Sequence, residues 1–181
     1  MALERVHLCP PLRPGGDVVT ALARTAPPPA VPPSVDELMV ALAEVADPEI
    51  PAISIVDLGI VHRAAVAADG RIEVELLPTF VGCPAIDAIR LAVGERLATF
   101  GRPVHVSITF EVPWTSDRIT PAGRNCLRES GFAPPAEPQD VRCPFCDSAN
   151  VAMDGAFGPT LCRSLFYCRT CRQPFESFKA I

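Results

Sequence analysis

The sequence predicts an α+β fold: a small mixed sheet with three helices, followed by a short module organised by cysteines. Three observations carry that prediction. Helix-start signals at Ser34, Pro84 and Thr120 are interleaved with strand-like runs at 60–67, 71–77 and 104–110. The first two runs are joined at Asp69-Gly70, a dipeptide suited to a hairpin turn. Near the end of the chain stand two Cys-x-x-Cys pairs, Cys143 with Cys146 and Cys168 with Cys171, separated by twenty-one residues.

The first helix is announced by Ser34-Val35-Asp36-Glu37, a capping box in which the serine hydroxyl and the Glu37 carboxylate each satisfy a free amide. Leu38, Ala41, Leu42 and Val45 recur at helical spacing and extend it to about Ala46, where Pro48 and Pro51 prevent continuation. Residues 47–59 form a loop with apolar anchors, in which Asp47 and Asp57 suit bonds to nearby backbone amides. Ile72, Val74 and Leu76 alternate with Glu73 and Glu75, so one face of the sheet is buried and the other wet. Ile86, Ile89, Val93 and Leu97 mark the second helix, with Pro84 expected in its first turn. The third strand alternates Val104, Val106, Ile108 and Phe110 with His105, Ser107 and Thr109. His62 and His105 therefore read as surface or packing residues, and Trp114 as core. Thr120-Pro121 opens the third helix, Gly131 closes it, and Cys126 within it reads as core.

The resulting domain boundaries are a disordered proline-rich extension at 1–33, an α/β domain at 34–133, a stiff linker at 134–141 and a cysteine module at 142–181. The extension carries eight prolines and little to bury. A short helix near Val18 is compatible with it, and Cys9 has no evident role there. Ala133-Pro134-Pro135-Ala136-Glu137-Pro138 suits a spacer.

Two Cys-x-x-Cys turns each offer two thiolates to one ion, the tetrahedral four-sulfur shell that Zn²⁺ accepts. The module accordingly reads as a zinc ribbon, with structural Zn²⁺ held by Cys143, Cys146, Cys168 and Cys171. Iron suits the same sulfurs, and disulfides would need an oxidising compartment. A segment this short, with few large apolar residues, depends on its ion to fold. Gly155, Gly158 and Pro159 mark turns, and Leu165-Phe166-Tyr167, Phe175 and Phe178 suggest short strands. Cys162 has no Cys-x-x-Cys partner; it is either spare or a replacement ligand.

A net charge of -5 argues against a nucleic-acid binder. From Arg142 onward there are five basic against three acidic residues, so a ribbon with four thiolates on a divalent ion is near neutral. No apolar run reaches the length of a membrane span. Eight cysteines without a secretory signal point to a reducing cytoplasm.

Cys83, in Gly82-Cys83-Pro84-Ala85, falls at or beside the start of the second helix. There free amides and the helix dipole favour a thiolate, making a better ligand or nucleophile. The competing reading is a small apolar residue packing a strand-to-helix turn. Local sequence does not separate the two.

Four stretches, Asp47-Pro48-Glu49-Ile50-Pro51, Ser54-Ile55-Val56-Asp57-Leu58-Gly59-Ile60-Val61, Gly82-Cys83-Pro84-Ala85 and Ile119-Thr120-Pro121-Ala122-Gly123-Arg124, resemble the MIP18 family, whose members act in iron-sulfur protein assembly. With the ribbon and its Phe157-Gly158-Pro159-Thr160-Leu161-Cys162 and Pro174-Phe175-Glu176-Ser177-Phe178-Lys179 segments, the chain from 34 to 181 looks like one subfamily, the D subunits of the bacterial phenylacetyl-CoA epoxidase system. The resemblance implies an accessory protein of aerobic phenylacetate catabolism that assists maturation of an iron or iron-sulfur centre on the oxygenase or the reductase. It implies Cys83 as a transient ligand of iron or a cluster, supported by Glu49, Asp57 and Cys162. A homodimer is compatible with this reading.

Two rivals stand beside it: a structural subunit bridging oxygenase and reductase, and a free-standing thiol enzyme. The second lacks a base, since His7, His62 and His105 have no recognisable partner. Without a Glu-x-x-His pattern or a glycine-rich nucleotide loop, the oxidation chemistry belongs elsewhere and the chain is expected to have no catalysis of its own.

Overall fold

The computed structural model describes residues 31–181. The proline-rich extension, with the helix read near Val18 and with His7 and Cys9, lies outside the described residues except for its last three positions. The remainder is α+β, with three α-helices, a three-stranded sheet and a four-stranded sheet.

Helix α1 (Val35–Leu42) starts as its capping box dictates: Ser34 accepts from the Glu37 amide, and Glu37 accepts from the Ser34 amide at 2.8 Å. It ends four residues before the expected Ala46. The Val45 amide turns back to Leu42, and Asp47 and Ile53 are bonded across the loop at 2.9 Å. Val45 is buried all the same, so its apolar spacing records burial rather than helix.

Strands β1 (Val61–Val66) and β2 (Ile72–Leu76) form the expected hairpin, closed by a bond from the Ala67 amide to Arg71. Gly70 takes φ +86° at its tip, a conformation that L side chains rarely adopt. Helix α2 (Ile86–Ala98) then crosses over to β3 (Val104–Ile108), which lies parallel to β2 and completes the order β1-β2-β3. The strand ends at Ile108, and Phe110 is exposed rather than a member of the apolar face. Trp114 is core, as expected, and its Nε1 donates to Leu58 O at 2.9 Å. His62 and His105 are exposed on the sheet.

Helix α3 (Pro121–Glu129) has Thr120 accepting from the Gly123 amide and Pro121 in its first turn. Gly123 is needed for a close approach, because a Cβ there would lie 2.6 Å from Asp57 O. The helix is thereby pressed against the loop at 47–59.

The expected linker is where the structure departs most from the sequence reading. Residues Phe132–Ala136 form strand β4, parallel to β7 (Pro174–Lys179), so the chain enters the ribbon sheet without a spacer. Pro134 and Pro135 are tolerated because β4 is at the edge of its sheet, and pairing is irregular between Ala133 and Ala136. Strands β5 (Val151–Gly155) and β6 (Arg163–Cys168) complete the order β4-β7-β6-β5.

One apolar cluster fills the α/β part, built on fully buried Leu38, Leu42, Ile55, Ile72, Leu76 and Leu97, and it takes in two ribbon residues, Cys162 and Phe178. A second, smaller cluster of Ala133, Val141, Cys143, Phe166, Cys168 and Phe175 lies inside the ribbon. No helix among the described residues is long and apolar enough to cross a membrane.

Candidate functional site

The four cysteines of the Cys-x-x-Cys pairs converge. Their sulfurs all lie within 4.8 Å of one another, with Cys143 to Cys171 at 3.5 Å and Cys146 to Cys168 at 3.6 Å. A tetrahedral ion with sulfurs at about 2.3 Å sets its ligands about 3.8 Å apart, so the cage fits such an ion. Local backbone chemistry builds it from two equivalent turns. After Cys146 and after Cys171 the chain enters the left-handed region, at Asp147 (φ 55°) and Arg172 (φ 61°). The amide of each then donates to the carbonyl of the first cysteine of its pair at 2.9 Å. Pairing of Val151 with Cys168 across β5 and β6 brings the second turn against the first, and Ser148 and Thr170 join the two turns at 2.8 Å.

Backbone amides aimed at sulfur favour thiolate. The Cys171 amide points at Cys168 Sγ from 3.5 Å and holds that thiol down at about 6. Burial, aided by the neighbouring sulfurs, pushes Cys171 up to about 12. Burial also pushes Cys143 up. An arriving cation must therefore displace protons, which makes its affinity depend on pH.

The second constellation lies where the ribbon meets the α/β part. Helix α2 starts at Ile86 with Ala85 as N-cap, so Cys83 precedes the cap by two residues and Pro84 lies outside the first turn. Cys83 is half-buried, and burial raises its thiol pKa. The Ala85 amide and the Thr79 hydroxyl pull it down less strongly, while Cys162 and Glu49 push it further up. The helix-terminus expectation of a lowered thiol is thus reversed, because desolvation outweighs the Ala85 amide and the Thr79 hydroxyl that face the sulfur.

Cys162 is not in the four-sulfur cage. It is 6% exposed, in the main core, with Sγ 3.2 Å from Thr160 Oγ1. Next to it stands Arg163, which the sequence reading missed. Its side chain is 7% exposed and donates to Glu49 at 2.6 Å and Glu176 at 2.8 Å, with the Phe132 ring 5.5 Å from its guanidinium carbon. Burial works against its charge, but the carboxylates of Glu176 and Glu49 outweigh it. An arginine next to a cysteine without a Cys-x-x-Cys partner, just ahead of Leu165-Phe166-Tyr167, was the available signal; its partner 114 residues away was not.

The other acids are occupied locally. Asp57 accepts from Ser54 Oγ at 2.9 Å and Thr120 Oγ1 at 2.7 Å, tying the loop to α3. Asp47 Oδ1 accepts from the amides of Glu49 and Ile50, which shapes the turn that presents Glu49 to Arg163. Burial raises the Asp47 carboxyl above its ordinary range. Two groups of residues thus come together: a closed cage of four sulfurs, and a junction at which Arg163, next to Cys162, is bonded to Glu49 and Glu176.

Comparison with known proteins divides the chain along the same lines. A family model described as an iron-sulfur cluster assembly protein matches residues 36–110, and one described as a PaaD zinc beta ribbon domain matches residues 128–179. An "Fe-S protein maturation auxiliary factor" of Porphyromonas gingivalis is 31% identical over 54% of this chain and 90% of its own length. YitW of Bacillus subtilis, of the same description, is 32% identical over 47% of this chain and 84% of its own. The D subunit of the "Putative 1,2-phenylacetyl-CoA epoxidase" of Escherichia coli K12 is 39% identical over 83% of this chain and 95% of its own length, a span that takes in both parts. The chain therefore belongs to the family of 1,2-phenylacetyl-CoA epoxidase D subunits, an iron-sulfur assembly domain joined to a zinc β-ribbon.

Proposed function

We propose that this protein is an accessory factor of a phenylacetyl-CoA epoxidase system, assisting maturation of an iron or iron-sulfur centre on the oxygenase or the reductase. Cys83 is the residue that receives iron in transit. The observation that carries this reading is the setting of Cys83: a half-buried thiol, raised by burial, with a second thiol and a carboxylate close enough to act on its charge. A nucleophile would need a lowered thiol or a base, and both histidines among the described residues are exposed on strands. A ligand needs neither, because a bound cation itself displaces the proton. The resting thiol is then inert until its cargo arrives.

The cage of Cys143, Cys146, Cys168 and Cys171 is read as a closed structural Zn²⁺ site, with all four positions taken by the chain. Its residues hold the two turns together and shape the ribbon; they take no part in the transfer.

The test is Cys83→Ser in cells growing on phenylacetate. Serine keeps the volume but replaces a soft ligand by a hydroxyl that stays protonated at neutral pH. The variant should be folded and metal-loaded in its ribbon, fail to support growth, and leave an oxygenase or reductase short of iron. Normal growth with fully loaded partners would refute the reading and leave a bridging subunit as the better account; such a subunit would co-purify with the complex in fixed ratio.

A further inference from the structure

Three arginines line one groove of a chain whose net charge is -5. Pro121, Arg124, Asn125 and Arg128 recur at helical spacing on α3, so they form a single stripe, and that stripe is one wall of a cavity of about 370 Å³. The other wall is β4, at the edge of its sheet, and Asp140 and Arg142 also line the space. Arg124 is half-buried. Its Nη1 donates to Pro135 O at 3.2 Å and its Nη2 to Ser116 O at 2.8 Å, so the fork is held in place by two uncharged acceptors. Among the described residues neither Arg124 nor Arg128 is ion-paired, while Arg142 meets Asp147 at 3.6 Å in an exposed pair. With Asp140 as the one acid in the lining, the groove keeps an excess of positive charge.

We propose that this groove docks an acidic segment of a partner protein, whose carboxylates pair with Arg124, Arg128 and Arg142. The planar guanidinium fork donates to both oxygens of a carboxylate, and the charge of each arginine selects for it. An acidic chain as a whole repels an acidic partner, but at physiological ionic strength that repulsion is screened beyond about 8 Å, whereas the groove acts at contact. A compact phosphate fits less well. Phosphate sites draw on backbone amides at helix N-termini and nests. Here Pro121, Pro134 and Pro135 have no N–H, and Thr120 already takes the Gly123 amide, so the arginines are the chief donors. Arg124 and Arg128 are one helical turn apart, about 6 Å, which suits carboxylates spaced along a segment. The prolines of β4 also keep a partner strand from pairing along its free edge, and recognition is left to side chains. Arg142 belongs to the ribbon and the other two to the first part, so the segment is held across both. None of this depends on the role of Cys83.

The full chain would be titrated with a fluorescently labelled peptide of alternating glutamate and glycine, and with the same peptide carrying glutamine for glutamate. The glutamate peptide should bind and lose affinity as salt is raised, and the glutamine peptide should not bind. Arg128→Gln and Arg142→Gln, both at exposed side chains, should each weaken binding about threefold and together about tenfold, the scale of one exposed ion pair per arginine. Arg63→Gln, on β1, should leave it unchanged. Because Arg124 also supports two backbone carbonyls, its part is read without a variant: on adding peptide to wild type, the amide NMR signals of Arg124, Asn125, Arg128 and Ala136 should shift. Failure of the peptide to bind, an equal loss in Arg63→Gln, or shifts confined to other residues overturns the proposal. So do the same shifts with inorganic phosphate at equal concentration, which would make the groove a small-anion site, and the same shifts on concentrating the protein alone, which would make its occupant a second copy.

Discussion

Replacement of Arg163 by methionine tests whether the two parts of the chain are energetically one. Methionine keeps much of the apolar stem but removes the charge between Glu49 and Glu176. The Arg163 side chain is 7% exposed, and those of Glu49 and Glu176 are 29% and 25% exposed. Removing one member of a fully buried pair costs about 3–5 kcal/mol, because a charge is left unpartnered. Here both glutamate side chains are partly exposed, which lowers the figure, while loss of the contact with the Phe132 ring adds about 0.5–1 kcal/mol. The expected loss is about 3 kcal/mol, or about 6–12 °C in Tm for a chain of this size. It should be read by urea unfolding at neutral pH with the ribbon metal-loaded. Adding Glu49→Gln and Glu176→Gln to Arg163→Met should recover part of the loss, since no uncompensated charge then remains. A loss below about 1 kcal/mol would match an exposed surface pair and refute the claim that this cluster locks the junction.

Chelating the ribbon metal should disturb the α/β part as well, because Cys162 and Phe178 belong to its core and Ile181 O accepts from the Ser116 amide at 3.2 Å. The fluorescence of Trp114, two residues from that bond, should change on chelation, and an unchanged spectrum would show the parts to be independent. Asp47→Asn keeps an acceptor for the amides of Glu49 and Ile50 and removes a buried charge. Since burial raises the folded carboxyl above its unfolded value of about 3.9, the native state binds the extra proton, and wild-type stability falls as pH rises from there through the raised folded value. In denaturant titrations at several pH values the asparagine variant should lose that fall and be no less stable at pH 7, whereas Asp47→Ala should lose about 1–3 kcal/mol by stranding two amides. An asparagine variant as unstable as the alanine one would contradict this. Gly123→Ala drives a Cβ to 2.6 Å from Asp57 O and should cost about 1–3 kcal/mol by overpacking; a thermal midpoint equal to wild type would show that α3 can shift away freely.

What the sequence determined alone is what interactions between near neighbours determine. The Ser34 capping box, the Thr120-Pro121 helix start, the Asp69-Gly70 turn and the two Cys-x-x-Cys turns are each complete within a few residues, so their signals survive without knowledge of the fold. The α+β class followed from them, and the two cysteine pairs, once read as ligands of one ion, specified their own meeting. Proximity between distant segments was decided only by tertiary structure. The prolines at 134 and 135 favour extended backbone whether it is solvated or paired, and only the position of β7 makes that stretch a strand. Cys83 kept its position in the chain but reversed its expected acidity, because desolvation depends on what packs around a thiol and not on its neighbours in sequence. Glu49 and Arg163 are 114 residues apart in the chain, yet they are bonded at 2.6 Å. Their encounter depends on how two sheets dock, a property of the summed burial of many side chains that no local motif encodes.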